Sequence, residues 1–277
     1  MREQHPLFIK YPLDKEIQLG EETLSSPYHI YNGSIFFIGG RANAQVANDL
    51  LQDERLTPIL DTDGNALMAV WVCDFTEANL GPHHELQISL FASFRSQPPV
   101  KTHPFAIYRL LTLNPDAMMV CHGLWNSTER VVRYNREHLG LDAHLSKSHI
   151  ATHAPHQWRF EVEDANTSRS LIQGDVILPE RQPSATLSMM SKLLGLRGLI
   201  RTIRAPFIHV PVVNTQSAYA TDNRVAHTYT RADSQRIFTV NDGVRVTLQD
   251  PKYAPLQFQP DFVQFSDGVR FVYLRPE

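Results

Sequence analysis

Short runs of β-branched and aromatic residues, each closed by a turn, recur along most of the chain, and no other feature restricts its fold as strongly. Tyr28 to Ile38 (YHIYNGSIFFI), Ala66 to Asp74 (ALMAVWVCD), His83 to Phe94 (HHELQISLFASF), Ala106 to Leu113 and Met118 to Gly123 all read as strands. Gly39-Gly40 ends the first of them, and Asn114-Pro115-Asp116 forms a turn between the last two. In HHELQISLFASF, Glu85, Gln87 and Ser89 alternate with Leu86, Ile88 and Leu90, which places Glu85 on the polar face of its strand. Gln157 to Glu163 and Ser170 to Leu178, the latter interrupted by Gly174, are two further strands joined by the DANTS loop. The last third of the chain, 208–274, carries more short strands. Asp242-Gly243 and Asp267-Gly268 lie between its apolar runs and read as hairpin turns.

Helices are few. Asn126 to Gly140 reads as one, with Asn126 as N-cap, Glu129 reaching back to the cap, and Gly140 as the stop that delivers the chain into a strand. Ala42 to Leu51 reads as a short helix, and Ala185 to Arg204 as a longer one broken at Gly195 and Gly198. Many strands without a β-α-β rhythm predict an α+β fold, mostly antiparallel β and barrel-like. There is no internal repeat or linker, so residues 1–277 are expected to form a single domain, with 1–27 as an N-terminal arm laid over it.

Composition narrows the functional classes. A formal net charge of −3 argues against a general nucleic-acid binder. Cys73 and Cys121 are isolated in apolar surroundings, too few for a disulfide framework and suited to a reducing compartment. No apolar run is long enough for a signal peptide or membrane span, so the expectation is a cytoplasmic protein. Glycine-rich nucleotide loops and the nucleophile elbow are absent, and no external cofactor is expected.

Three stretches carry a further signal: Pro27-Tyr28 through Asn32 to Arg41, Gly81 to Glu85, and Asn135 to Leu141. Together they resemble the acetoacetate decarboxylase family. Pro27-Tyr28 through Asn32 to Arg41 is similar to that family's first strand. Gly81-Pro82-His83-His84-Glu85 is similar to its Gly-x-Tyr-x-Glu strand opening. Asn135-Arg136-Glu137-His138-Leu139-Gly140-Leu141 is similar to its Gly-Arg-Glu-x-x-Gly-(Phe/Tyr) helix end. The likeness covers roughly residues 27 to 150. It implies an acetoacetate decarboxylase-like β-cone or barrel with a few helices, a homo-oligomer, and a small carbonyl substrate. The family's reaction needs a lysine that forms an imine with a ketone, kept unprotonated by a neighbouring lysine and by burial; this family is the standard example of such activation. Here the matching positions are Ala143 and His144, and neither can form an imine. The family's arginine after the first-strand Asn is Gly33, and a gapless count puts Val70 at its other glutamate. By the resemblance, Glu85 alone of the main polar site residues is kept.

Glu85 is therefore the expected acid or base, since a carboxyl opening onto a barrel interior has a raised pKa. His144 is expected to assist it, because imidazole exchanges protons near neutrality. His83, His84, Arg41, Ala143, Gly33 and Val70 are expected to line the substrate site. Lys147 shares strand parity with Ala143 but lies about 13 Å along the strand, which favours a surface lysine over a relocated imine-former. The five histidines between His138 and His156 lack an HExxH pattern, and no metal site is expected. The basic, apolar helix 185–204 is expected to serve packing or oligomerisation. The functional expectation is a non-Schiff-base enzyme of cyclase, dehydratase or aldolase/lyase type, acting on a carbonyl, β-keto or polyketide-like small molecule. The alternative is a binding or sensing protein that uses the barrel cavity without turnover.

Overall fold

A computed structural model describes residues 5–204, 212–214, 224–229, 232–240 and 243–274. In chain order the elements are α1 (Pro6–Lys10), β1 (Lys15–Leu19), β2 (Glu22–Ser26), β3 (Tyr28–Ala42), α2 (Ala44–Leu51), β4 (Thr57–Pro58), β5 (Ala66–Ala78), β6 (His83–Ser93), α3 (Ala106–Leu113), β7 (Met118–Asn126) and α4 (Glu129–Arg133). A π-turn (Tyr134–His138) leads on to β8 (Ala143–Ala154), β9 (Gln157–Asp164), β10 (Ser170–Ile177), α5 (Ser184–Arg204), β11 (Val212–Asn214), β12 (Arg224–Tyr229), β13 (Ser234–Thr239), β14 (Val244–Leu248), β15 (Gln259–Asp267) and β16 (Phe271–Leu274). The fold is α+β, built on one curled sheet in half-barrel form. Its strand order is β14-β10-β9-β8-β7-β11-β12-β16-β3-β5-β6-β4, and a β6–β7 ladder brings the path back on itself. Most pairs are antiparallel, while β7 runs parallel to β8 and β11.

The long strands β3, β5 and β6 are buried on both faces, which explains their nearly continuous apolar sequences. Ile35, Phe37, Trp71, Cys73 and Phe75 face an inner core that also holds Tyr28, Tyr134, Tyr273 and Met190 of α5. Phe36, Ile38, Val70, Val72 and Leu86 face an outer core shared with β9, β10 and β14. The register carries one set of side chains across the sheet: Ile35 opposes Cys73, Cys73 opposes Glu85, and Glu85 opposes Asn126.

Several expectations change. Residues 106–113 form α3 rather than a strand; Phe105, Ala106, Ile107, Tyr108 and Leu110 are all buried, and a helix enclosed by core lacks the periodicity that separates it from a strand. β3 passes through Gly39-Gly40, because the Phe262 ring and the Gln259 backbone press where side chains would stand. The expected arm contains α1 and the β1–β2 hairpin, with Leu19 in the inner core. Gly268 does turn with a positive φ, but β15 and β16 both run antiparallel to β3, so the turn makes no hairpin. Asp242 and the start of the strand expected from Ile208 lie outside the described residues. β13 and β14, on either side of Asp242-Gly243, pair with β15 and β10 respectively.

Asn126 is the last residue of β7 and not a cap; Thr128 takes the N-cap position of α4. Gly140 closes this helical segment as expected, with φ of 68°. Helix α5 is kinked at Gly195, whose φ is 69°.

Candidate active site

Alternation in β6 turns His83, Glu85, Gln87 and Ser89 to the inner core, so the polar face of this strand is buried as thoroughly as its apolar face. Glu85 is 4% exposed. One carboxyl oxygen accepts a 3.0 Å hydrogen bond from Asn126 Nδ2, and the other accepts a 3.0 Å bond from the Tyr273 hydroxyl. Burial pushes the Glu85 pKa up from 4.5 to about 7, against the pull of those two donors. No ion pair involves it among the described residues. A cavity of about 10 Å3 lies beside the carboxyl, walled by Ile35, Trp71, Cys73, Phe75, Gln87, Phe271 and Tyr273. That is the space of about one water.

Tyr273 is held by its own neighbours. Its ring stacks on Tyr28 with centroids 5.1 Å apart at 15°. The Tyr28 hydroxyl meets Nε2 of His83, whose Nδ1 lies 2.9 Å from the Gly81 carbonyl. A carbonyl accepts only, so Nδ1 carries the proton and Nε2 accepts from Tyr28. Burial lowers the His83 pKa to about 4, which keeps the ring neutral.

The remaining expected site residues separate by strand parity. Ala143 opposes Leu124 and packs in the inner core on the Glu85 side. His144 opposes Trp125, and its ring lies beside the Trp125 indole, a member of the outer core. There it meets Asp142 at 3.3 Å and Arg136 at 3.3 Å, in a separate groove lined also by His122 and Tyr253. His84 likewise points away from Glu85, to Ser148 and Asp74. Val70 opposes Ile38 and Ile88 in the outer core, so the inner-face neighbours of Glu85 on β5 are Cys73 and Trp71. Arg41 is taken up by a bidentate pair with Asp261. A Cβ at Gly33 would lie 2.5 Å from the Asp74 carbonyl oxygen, so the backbone of β5 fills the place where the resemblance calls for an arginine.

All six lysines, at 10, 15, 101, 147, 192 and 252, are exposed. Lys147 opposes Glu163 on β8, on the solvent side of the β8–β9 pair. Among the described residues no three His, Cys, Asp or Glu side chains gather as metal ligands. Tyr273 was not singled out by sequence reasoning, Asn126 was read only as a helix cap and Tyr28 only as part of the first strand. Asn126 carried one further signal, a polar residue ending the run MMVCHGLWN, whose other polar side chain is His122.

No family model matches the chain, and no curated protein matches it by sequence. Solved structures do match. Acetoacetate decarboxylase from Legionella pneumophila is 12% identical over 99% of this chain and 95% of its own, with a TM-score of 0.55. A second acetoacetate decarboxylase structure is 12% identical over 91% and 88%, with a TM-score of 0.52. The enduracididine biosynthesis enzyme MppR, in complex with pyruvate, is 12% identical over 90% and 88%, with a TM-score of 0.51.

Proposed function

We propose that this chain, which has the acetoacetate decarboxylase fold and no lysine on its inner face among the described residues, is a non-Schiff-base enzyme of lyase or cyclase type, with Glu85 moving a proton on a small carbonyl compound. One observation carries the reading: a buried carboxyl, free of any paired cation among the described residues, with a pKa of about 7. Such a group exchanges protons readily at neutral pH in either direction. Tyr273 and Asn126 hold the carboxyl through one oxygen each, and each can in turn polarise a substrate carbonyl as the carboxyl changes charge. His144 lies on the other face and takes no part in this step. The space at Glu85 admits a group about the size of a water or methyl, so the small end of a substrate reacts there. Pyruvate, bound by the similar MppR, presents such a methyl next to a carbonyl.

The test is deuterium exchange into the methyl of pyruvate and the methylene of acetoacetate, followed by proton NMR. The wild type is expected to accelerate exchange for one of these ketoacids, and Glu85→Gln to slow it by ~100-fold or more. Equal exchange in both proteins would remove Glu85 from the chemistry. A second reading, binding without turnover, is favoured by the aromatic walls of the cavity. It is supported if the wild type retains a ketoacid in ligand-observed NMR without exchanging its protons.

A further inference from the structure

The hydrogen bonds that reach Glu85 from β7 run in one direction. Asn135 Nδ2 donates to Asn126 Oδ1 at 2.9 Å, and Asn126 Nδ2 donates to Glu85 at 3.0 Å. All three residues are enclosed, Asn135 at 1% and Asn126 at 0% exposure. The frame is built by different elements: Glu85 and Asn126 are opposed in the β6–β7 ladder, while Asn135 reaches in from the π-turn that follows α4. Such turns are uncommon and tend to occur where a helix serves a site.

A primary amide has an acceptor on one side and donors on the other. With its oxygen occupied by Asn135, Asn126 must present its NH2 to Glu85. Both carboxyl oxygens then face donors, an arrangement suited to the ionised form. The opposite arrangement needs both amides turned over: a protonated Glu85 donates to Asn126 Oδ1, and Asn126 Nδ2 donates to Asn135 Oδ1. Each direction of the chain thus corresponds to one charge state of Glu85. In the direction observed, Asn135 Oδ1 is buried with no hydrogen-bond partner among the described residues. An unsatisfied buried acceptor costs about 1–3 kcal/mol, and in the reversed direction Asn135 Nδ2 would lose its partner instead.

We propose that Asn135 is a positioning residue that fixes the direction of this chain through Asn126 and so weights the interior toward the ionised, proton-accepting form of Glu85. Its catalytic meaning rests on the acid–base reading of Glu85; its physical content does not. The other titratable groups facing Glu85 are the Cys73 thiol from β5, the Cys121 thiol from β7, the Tyr28 phenol from β3, the Tyr273 phenol from β16 and His83 on its own strand. Burial raises Cys73, Cys121 and Tyr28 and lowers His83, so these four stay neutral while Glu85 titrates.

The experiment is a carboxyl titration by carbon-13 NMR on the full chain with labelled glutamate, assigned by the resonance lost in Glu85→Gln. Asn135→Ala frees Asn126 to turn and accept from a protonated carboxyl, so the Glu85 midpoint should rise by about one unit, a tenfold change in acid dissociation. Asn135→Leu keeps the bulk but offers no donor, and should raise it by a similar amount. Should Asn135→Ala fail to fold, Asn135→Leu decides. A midpoint in either folded variant within about 0.3 of wild type overturns the proposal. This titration needs no substrate, and the exchange assay of Glu85→Gln needs no Asn135 variant, so the two readings fail separately.

Discussion

Replacing Glu85 by glutamine should change how stability depends on pH, and the size of the change follows from the burial of the carboxyl. In the unfolded chain the group titrates at 4.5, and in the folded protein at about 7. Between those values the folded state binds one more proton than the unfolded state. Stability contributed by the neutral carboxyl is therefore fully present below 4.5 and lost as pH rises through 7. At about 1.36 kcal/mol per pH unit, the loss between about pH 4 and pH 8 is ~3 kcal/mol. Glutamine has nearly the same shape, its carbonyl can accept from Asn126, and the Tyr273 hydroxyl can accept from its NH2. Urea unfolding of wild type and Glu85→Gln across this range isolates the residue, because all other titrations cancel in the difference. The variant should gain ~3 kcal/mol on the wild type from the acid to the alkaline end. A difference that stays constant within about 1 kcal/mol would mean that Asn126 and Tyr273 fully offset burial, that Glu85 titrates in the folded protein where it does in the unfolded chain, and that its suitability as an acid at neutral pH is lost.

Three further outcomes follow from the same geometry. Tyr273→Phe removes a donor to the ionised carboxyl, so Glu85 should titrate higher and the variant should lose about 1.5–3 kcal/mol at alkaline pH, with a smaller loss in acid, measured by unfolding at both. Gly33→Arg, which would restore the residue expected from the resemblance, should lower stability by about 3 kcal/mol, because its Cβ meets the β5 backbone; a melting temperature equal to wild type would show that the two strands part easily. Borohydride reduction with acetoacetate or pyruvate should leave no stoichiometric adduct, since all six lysines are solvated. Mass spectrometry that finds one adduct per chain, at Lys147 or any other lysine, would restore imine chemistry.

What the sequence disclosed and what it hid divide along physical lines. The alternation in HHELQISLFASF placed Glu85 correctly, because a period of two is a property of the strand alone. Gly140 marked its turn because a positive φ is a local demand. Val70 and His144 were misplaced for the opposite reason. Which of two alternating sets faces inward depends on cross-strand register, and a one-residue error moves a side chain to the other face. A gapless count from Glu85 chose Val70, whereas the ladder sets Cys73 opposite Glu85. Tyr273 was hidden more deeply still: β16 pairs with β3 from the far end of the chain, and nothing local in FVYL announces a partner 188 residues away.

The absence of interior lysines bears directly on the state of Glu85. A buried carboxylate next to an ammonium keeps its charge, because the partner's field offsets the loss of water. Remove the cation, keep the carboxyl enclosed, and only neutral donors remain to hold the charge. Asn126 and Tyr273 supply two such donors, which is enough to bring the group near neutrality without fixing it in either form. In an inert core, an apolar residue at position 85 would be more stable than an enclosed carboxyl with a network of amides and phenols around it. The stacked Tyr28, the neutral His83 and the Asn135–Asn126 pair all lead to this one group. That convergence supports the proton-handling role proposed for Glu85.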